Sequence, residues 1–252
     1  MWSTEDWSYL VGAFHGDGFA RQRKPGNIGS SELVFTVGCK DSDYADVLTN
    51  LLGKYSIRKD KDTLRVCAYG EIASKFVNLK HKGIWNLSYP PFHVNSWLAG
   101  LYDTDGGFYG DKRRQRIEFF QKNNGNVGYV ANVLEFLGIN YKLALRKERI
   151  SIKGIRSSAS SDLRITSVAD IINFSKLITL RHPRKAKKLI EMVAIAQERK
   201  DMPKRISDSE LLTKIKDVKE QKVDISISKM RYLLRASCPR IQRVLEEDSN
   251  AI

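Results

Sequence analysis

Two aspartates stand out as residues able to do chemistry together. Asp17 closes the segment Leu10-Val11-Gly12-Ala13-Phe14-His15-Gly16-Asp17-Gly18, and Asp105 holds the same place in Leu98-Ala99-Gly100-Leu101-Tyr102-Asp103-Thr104-Asp105-Gly106. Each segment reads as the last turns of a helix that stops at a glycine. Gly12 and Gly16 share one helix face, as do Gly100 and Thr104. Small residues at that spacing let two helix backbones approach closely. If the two helices pair, their C-terminal ends meet and Asp17 and Asp105 lie side by side. A helix C-terminus carries partial negative charge, so carboxylates there are poorly placed. A bound cation reverses that penalty. Carboxylates with backbone carbonyls form a hard, oxygen-rich site suited to Mg²⁺. Such an ion can activate a water and stabilise the leaving oxygen of a phosphodiester. A single copy would read as an amphipathic helix with a glycine stop. Two copies, each opening a similar unit in a basic chain, make that a poor account.

The elements that must position these acids repeat as well. Leu33–Lys40 has a counterpart in Arg116–Lys122, Leu51-Leu52-Gly53 in Phe136-Leu137-Gly138, and Leu64-Arg65-Val66 in Leu163-Arg164-Ile165. The second copy carries an insertion rich in Ser, Lys and Arg around 147–162. The chain divides into repeats over 1–95 and 96–199 and a charged extension over 200–252. In the first repeat the patterning predicts helices over 6–16, 41–52 (capped by Asp41) and 71–79, with strands at 32–40, 55–57 and 64–69. In the second it predicts helices near 95–105, 125–137, 167–178 and 183–199, with strands near 107–112, 114–122, 140–146 and 161–166. The order αββαββα, twice, is an α+β architecture. In the extension, Ser207–Glu210 looks like a helix start and Leu211, Leu212, Ile215 and Val218 form an apolar stripe. Residues 226–234 suit a second short helix, and Arg240, Ile241, Arg243, Val244 and Leu245 a third after Pro239. This fits either a helix-turn-helix DNA-binding module or a small helical extension packed on the core.

The two nine-residue segments resemble the paired motifs of the LAGLIDADG family, and the αββαββα units resemble its fold. The resemblance covers roughly residues 6–198. It implies pseudo-symmetric repeats, each with a saddle of four antiparallel strands, joined through their motif helices. It implies that Asp17 and Asp105 bind divalent ions that cleave both DNA strands, with backbone carbonyls from Gly16 and Thr104. Mg²⁺ or Mn²⁺ would serve, and Ca²⁺ would bind without supporting cleavage. Gln121-Lys122 matches a Gln-Lys pair of the family near the metals; the corresponding pair in the first repeat is Cys39-Lys40, which lacks the amide. That asymmetry suggests unequal half-sites or strands cut at unequal rates. His15 stands where the motif name has its first Asp, and Thr104 replaces the usual Ala or Gly. His15 and Asp103 are expected to cap helices or bind the neighbouring turn. Lys185, before the last helix, is a further candidate for a basic residue near the metals, but reads first as a helix-capping cation in the run 181–188. The function implied is a monomeric homing endonuclease making a double-strand break in a long, asymmetric DNA site. An RNA maturase that binds intron RNA, or a DNA-binding regulator without cleavage, is the alternative. The start at Met and the lack of a terminal His-Asn junction fit a free-standing or intron-encoded protein better than an intein domain.

Charge supports a polyanionic partner. The chain has 252 residues and a formal net charge of +14, which favours nucleic acid. Arg21, Arg23 and Lys24 follow the first motif; Lys112, Arg113, Arg114 and Arg116 follow the second. Arg146, Lys147 and Lys153 lie in the later basic stretch. In the strand ending at Lys122, Ile117 and Phe119 point one way while Arg114, Arg116, Glu118 and Lys122 point the other; Thr36 and Lys40 are outward in the first repeat. Such a charged sheet face can lie in a DNA major groove and read base edges. Arg240 and Arg243 would extend the contact. No run of eighteen apolar residues occurs, which argues against a membrane span, and the acidic N-terminus does not suit a secretory signal. Cys39, Cys67 and Cys238 form no CxxC pair, so an intracellular, reducing compartment is expected.

Overall fold

In the computed structural model, residues 2–22, 30–81, 92–110, 114–122, 127–150, 156–201, 208–221 and 238–249 are described. Helix α1 (Thr4–Asp17) starts at Ser3, whose side chain accepts from the Asp6 amide, and ends at Gly18, whose N–H returns to the Phe14 carbonyl. Its counterpart α4 (Val94–Thr104) starts at His93, which accepts from the Ser96 amide. Both are apolar around most of their circumference, as helices at the centre of a protein must be: Ser8 to His15 and Trp97 to Asp103 are all buried.

The two helices pack backbone to backbone. A Cβ at Gly12 would lie 1.9 Å from the Trp97 carbonyl oxygen, and one at Gly100 would lie 2.0 Å from that of Tyr9. A Cβ at Gly16 would meet Thr104 Oγ1 at 2.0 Å. Thr104 is therefore accommodated by the empty space at Gly16, and its hydroxyl bonds back to the Gly100 and Leu101 carbonyls.

After α1 come β1 (Gly18–Gln22), β2 (Ser31–Gly38), a 3-10 turn (Cys39–Asp41), α2 (Ser42–Leu52), β3 (Ser56–Asp60), β4 (Thr63–Tyr69) and α3 (Glu71–His81). After α4 come β5 (Gly106–Gly110), β6 (Gln115–Lys122), α5 (Val127–Phe136), β7 (Lys142–Arg146), the short pair β8 (Arg149–Ile150) and β9 (Arg156–Ser157), β10 (Ser160–Ile165), α6 (Val168–Leu177) and α7 (Pro183–Asp201). The sheets run β1-β2-β4-β3 and β5-β6-β10-β7, antiparallel throughout. This is the α+β fold of two pseudo-symmetric αββαββα repeats that the sequence implies. Leu33, Phe35, Val37, Val66 and Ala68 from one sheet, and Ile117, Phe119, Leu163 and Ile165 from the other, bury their side chains in one core with the helices.

The ladders correct the alignment of the repeats. Gly18 faces Phe35 and Gly106 faces Phe119. Counting on from there, Gln121 and Lys122 occupy the places of Val37 and Gly38, not of Cys39 and Lys40. The same register puts Leu163 opposite Phe119 where Val66 lies opposite Phe35, so Leu163 corresponds to Val66 and not to Leu64. Strand β2 ends at Gly38, and Lys40 lies exposed in the 3-10 turn. Asp41 precedes α2 without capping it through its side chain. Its carboxylate is taken instead by Arg184, through Nε at 2.7 Å and Nη2 at 2.9 Å.

The chain separates into a unit of residues 1–200 and a unit of 201–252. The smaller unit holds α8 (Asp208–Gln221) and α9 (Cys238–Ser249). They bury Leu211, Ile215, Ile241 and Val244 between them. The short helix expected at 226–234 falls outside the described residues. Among the described residues, no helix is long and apolar enough to cross a membrane.

Candidate functional site

The motif helices are tied by crossed hydrogen bonds from equivalent positions. Tyr9 Oη donates to Asp103 Oδ2 at 2.7 Å, and Trp97 Nε1 donates to His15 Nδ1 at 2.9 Å. His15 and Asp103 are thus polar links across the interface. Asp103 also accepts the backbone amides of Arg181 at 2.7 Å and His182 at 3.0 Å, which pins the turn before α7 onto α4. The turn Asp103 binds lies 78 residues on in sequence rather than beside it, and His15 holds an indole. Burial pushes the Asp103 carboxyl up to about 6 even though these donors favour its charged form.

Just beyond the contact lie the two motif-terminal acids. Asp17 ends α1, and Asp105 follows the last residue of α4. The Asp105 Cγ is 3.4 Å from the position a Cβ would take on Gly16. The acids feel one another. Burial raises the Asp17 carboxyl above its ordinary value, and burial followed by the Asp17 charge raises Asp105 to about 6. Gln121 Nε2 donates to Asp105 Oδ2 at 3.0 Å. The apolar Val37 holds the corresponding place on β2, so only Asp105 has this amide from its sheet.

Lys185 completes the arrangement. Its Nζ donates to the carbonyls of Tyr102 at 3.0 Å, Thr104 at 2.8 Å and Gly106 at 2.8 Å. It caps the C-terminal end of α4, a helix far from it in sequence. Burial lowers its pKa to about 8, opposed by the charges of Asp103, Asp17 and Asp105. It fits both readings at once, capping a helix and standing among the acids; only packing shows that the helix it caps is α4 and not its own. The Thr104 carbonyl expected to face a metal already accepts from this ammonium, although a carbonyl has a second lone pair.

These donors fit a hard divalent cation. They are all oxygens, and the two acids repel each other across a partly dehydrated gap where positive charge is favoured. No group of three or more His, Cys, Asp or Glu capable of holding a metal occurs among the described residues. A cation here would keep open positions, as a site that accepts phosphate oxygens and water needs.

The outward face of each sheet carries the predicted cations in ion pairs. Arg21 Nη2 lies 2.9 Å from Glu32, Arg116 Nε 2.7 Å from Glu118, and Arg146 meets Asp162. Arg58, Arg65 and Arg164 share these faces and were not singled out by sequence. Their basic character is diluted by neighbours, and only the cross-strand register, such as Thr36 with Arg65 and Glu118 with Arg164, assembles them. Thr36, Arg114 and Lys147 are exposed. In the smaller unit Arg243 Nη2 donates to Asp208 Oδ2 at 2.6 Å, and Arg240 lies in the first turn of α9. Arg23, Lys24, Lys112, Arg113 and Lys153 fall outside the described residues.

Residues 93–179 match the family model of the LAGLIDADG-like domain. No curated protein matches the chain. Among solved structures, the LAGLIDADG meganuclease I-AabMI bound to uncleaved DNA is similar with a TM-score of 0.54 and 13% identity, over 85% of this chain and 98% of that one. The meganuclease I-SmaMI bound to uncleavable DNA gives 0.53 and 13%, over 77% and 91%. I-DmoI in complex with DNA and Ca gives 0.50 and 20%, over 75% and 98%. At these identities the likeness is one of fold, and it spans both repeats.

Proposed function

We propose, from the match of residues 93–179 to the LAGLIDADG-like domain, that the chain is a site-specific homing endonuclease cutting both strands of a long DNA duplex. The observation that carries this reading is the pair of acids, one from each repeat, at the touching ends of α1 and α4. A chain serving only to bind would have no use for two repelling carboxylates at helix C-termini. The fold's neighbours I-AabMI and I-SmaMI are bound to DNA, and I-DmoI is bound to DNA and Ca.

Asp17 and Asp105 would hold divalent ions, with the Gly16 and Thr104 carbonyls beside them. Mg²⁺ or Mn²⁺, when bound, supplies an activated water and stabilises the leaving oxygen of the phosphodiester. Gln121 fixes the rotamer of Asp105. Lys185 neutralises the end of α4 and places an ammonium next to the acids, where an incoming phosphate is attracted. The sheet faces bind the two half-sites. Both acids belong to one chain, so a monomer can cut both strands. Unpaired Cys39 and Cys67 fit a reducing, intracellular setting.

The test is cleavage of a plasmid carrying the uninterrupted host-gene site. We expect linear product with Mg²⁺, none with Ca²⁺, and none from Asp17→Asn or Asp105→Asn. Tight DNA binding without cleavage in any divalent metal would point to a regulator. Preference for intron RNA over intron-free duplex would point to a maturase.

A further inference from the structure

Three carboxylates on the outward faces of the sheets are shielded from water. The Glu32 side chain is 3% exposed, that of Asp162 1% and that of Glu118 12%. Each of the three is paired with arginines. Arg21 reaches Glu32 through both Nε and Nη2 at 2.9 Å. Arg58 Nη1 lies 4.0 Å from Glu32 while its Nη2 donates to Tyr69 Oη at 2.6 Å. On the second sheet the pairs form a chain across three strands. Arg116 meets Glu118, Glu118 accepts from Arg164 Nε at 3.2 Å, Arg164 Nη2 donates to Asp162 at 2.6 Å, and Asp162 also holds Arg146. Arg116 is further fixed over the Tyr109 ring, 4.9 Å from its centroid. The outer arginines still keep about half of their side chains in solvent: 53% for Arg21, 56% for Arg58, 46% for Arg116 and 53% for Arg146.

Building on the DNA-cutting reading above, we propose that Glu32, Glu118 and Asp162 are positioning residues for sequence readout, holding Arg21 and Arg58 in one half-site and Arg116 and Arg146 in the other against guanine edges. A phosphate contact needs only a nearby positive charge, and a carboxylate beside it is a disadvantage. A base edge needs a planar donor pair in a set place, and arginine on the O6 and N7 of guanine is the commonest such contact. Carboxylates interleaved with arginines therefore suit the floor of the major groove and not the sugar-phosphate rim. Fixing a guanidinium in advance lowers the ordering cost of docking it and makes a misplaced base harder to accommodate. Arg164, held through two of its nitrogens by two acids, is the scaffold of the second cluster.

Selection of bound duplexes from a randomised library, using the full chain, tests this. Asp162→Asn should lose about tenfold of its preference for guanine at one or two positions of one half-site, leaving the other half-site unchanged. Glu32→Gln should do the reverse. Each variant loses a negative charge, so both should bind a fixed arbitrary duplex at least as tightly as wild type while discriminating less. Arg146→Lys, which keeps the charge and the fold but removes the planar fork, should lose the same guanine preference as Asp162→Asn and stands in for it if that variant does not fold. Variants that select the wild-type sequence with undiminished preference would overturn the proposal. So would a uniform loss of affinity for all sequences. A wild-type chain that selects no duplex at all would instead overturn the DNA-cutting reading on which this one rests.

Discussion

Asp105 shows at the level of one side chain why this site calls for a cation. Its carboxyl is raised to about 6 in the folded chain, against an ordinary value near 4. The folded protein therefore holds this proton more tightly than the unfolded chain, and ionising it costs stability. The penalty is fully present above about pH 6 and is relieved as pH falls toward 4. Asp105→Asn removes it. Without divalent ions we expect this variant to be more stable than wild type by about 1–2 kcal/mol at pH 7.5, after allowance for solvent screening, and equal to it near pH 4. Urea unfolding at the two pH values measures this; a variant equal to wild type at pH 7.5 would contradict the raised pKa. By the same linkage, Mn²⁺ or Ca²⁺ should displace protons and bind more weakly below pH 6, as titration calorimetry in buffers of different ionisation enthalpy would record. Gln121→Ala should slow cleavage by about 10–100-fold by freeing the Asp105 rotamer. The larger effect should fall on one strand, since Val37 provides no equivalent amide to Asp17; accumulation of nicked plasmid would reveal it.

Between elements, the α1–α4 contact governs both stability and the spacing of the acids. A Cβ on Gly100 would sit 2.0 Å from the Tyr9 carbonyl oxygen, and backbone cannot yield as a flexible side chain can. Gly100→Ala should cost about 3 kcal/mol or more and also suppress cleavage in whatever protein remains folded, because separating the helices separates Asp17 from Asp105. Tyr9→Phe tests the polar link. Losing the donor to buried Asp103 should cost about 1–3 kcal/mol, with a smaller effect on cleavage than Gly100→Ala. Denaturant midpoints read alongside single-turnover rates separate the two effects. Much of this level was legible in the sequence. Periodicity placed α4, β6, α5 and α6 close to their observed ends, and the glycine spacing foretold the helix pair. What it could not set was which residues of β2 and β6 correspond between the two sheets. Sequence similarity aligned Lys40 with Lys122, whereas hydrogen bonding from Gly18 and Gly106 aligns Gly38 with Lys122, and a strand ladder admits no fractional slip.

For the whole molecule the net charge of +14 predicts strong salt dependence of binding to any duplex. If six to ten phosphates are neutralised, affinity should fall by about 10³–10⁵-fold between 50 and 200 mM salt. Fluorescence anisotropy across that range measures the slope, and a slope near zero would contradict DNA as the partner. The sheets are pseudo-symmetric in topology but not in surface. One carries the Arg21–Glu32–Arg58 cluster, the other the longer chain from Arg116 to Arg146, as the proposed reading of an asymmetric site by one chain requires.

The two acids, the helix ends that present them, the repeated order of elements and the basic character of the chain could all be read from the sequence. Each is a local or periodic property: a motif occupies consecutive residues, amphipathic patterning follows one helix or strand, and charge is additive. The place of Lys185 on the α4 carbonyls, the crossed Tyr9–Asp103 and Trp97–His15 bonds, and the carboxylates under arginines on the sheet faces were decided only by the tertiary structure. Those contacts join residues far apart in the chain, and their partners are chosen by the packing of α1 on α4 and by strand register. Neither is encoded in the spacing of any one segment.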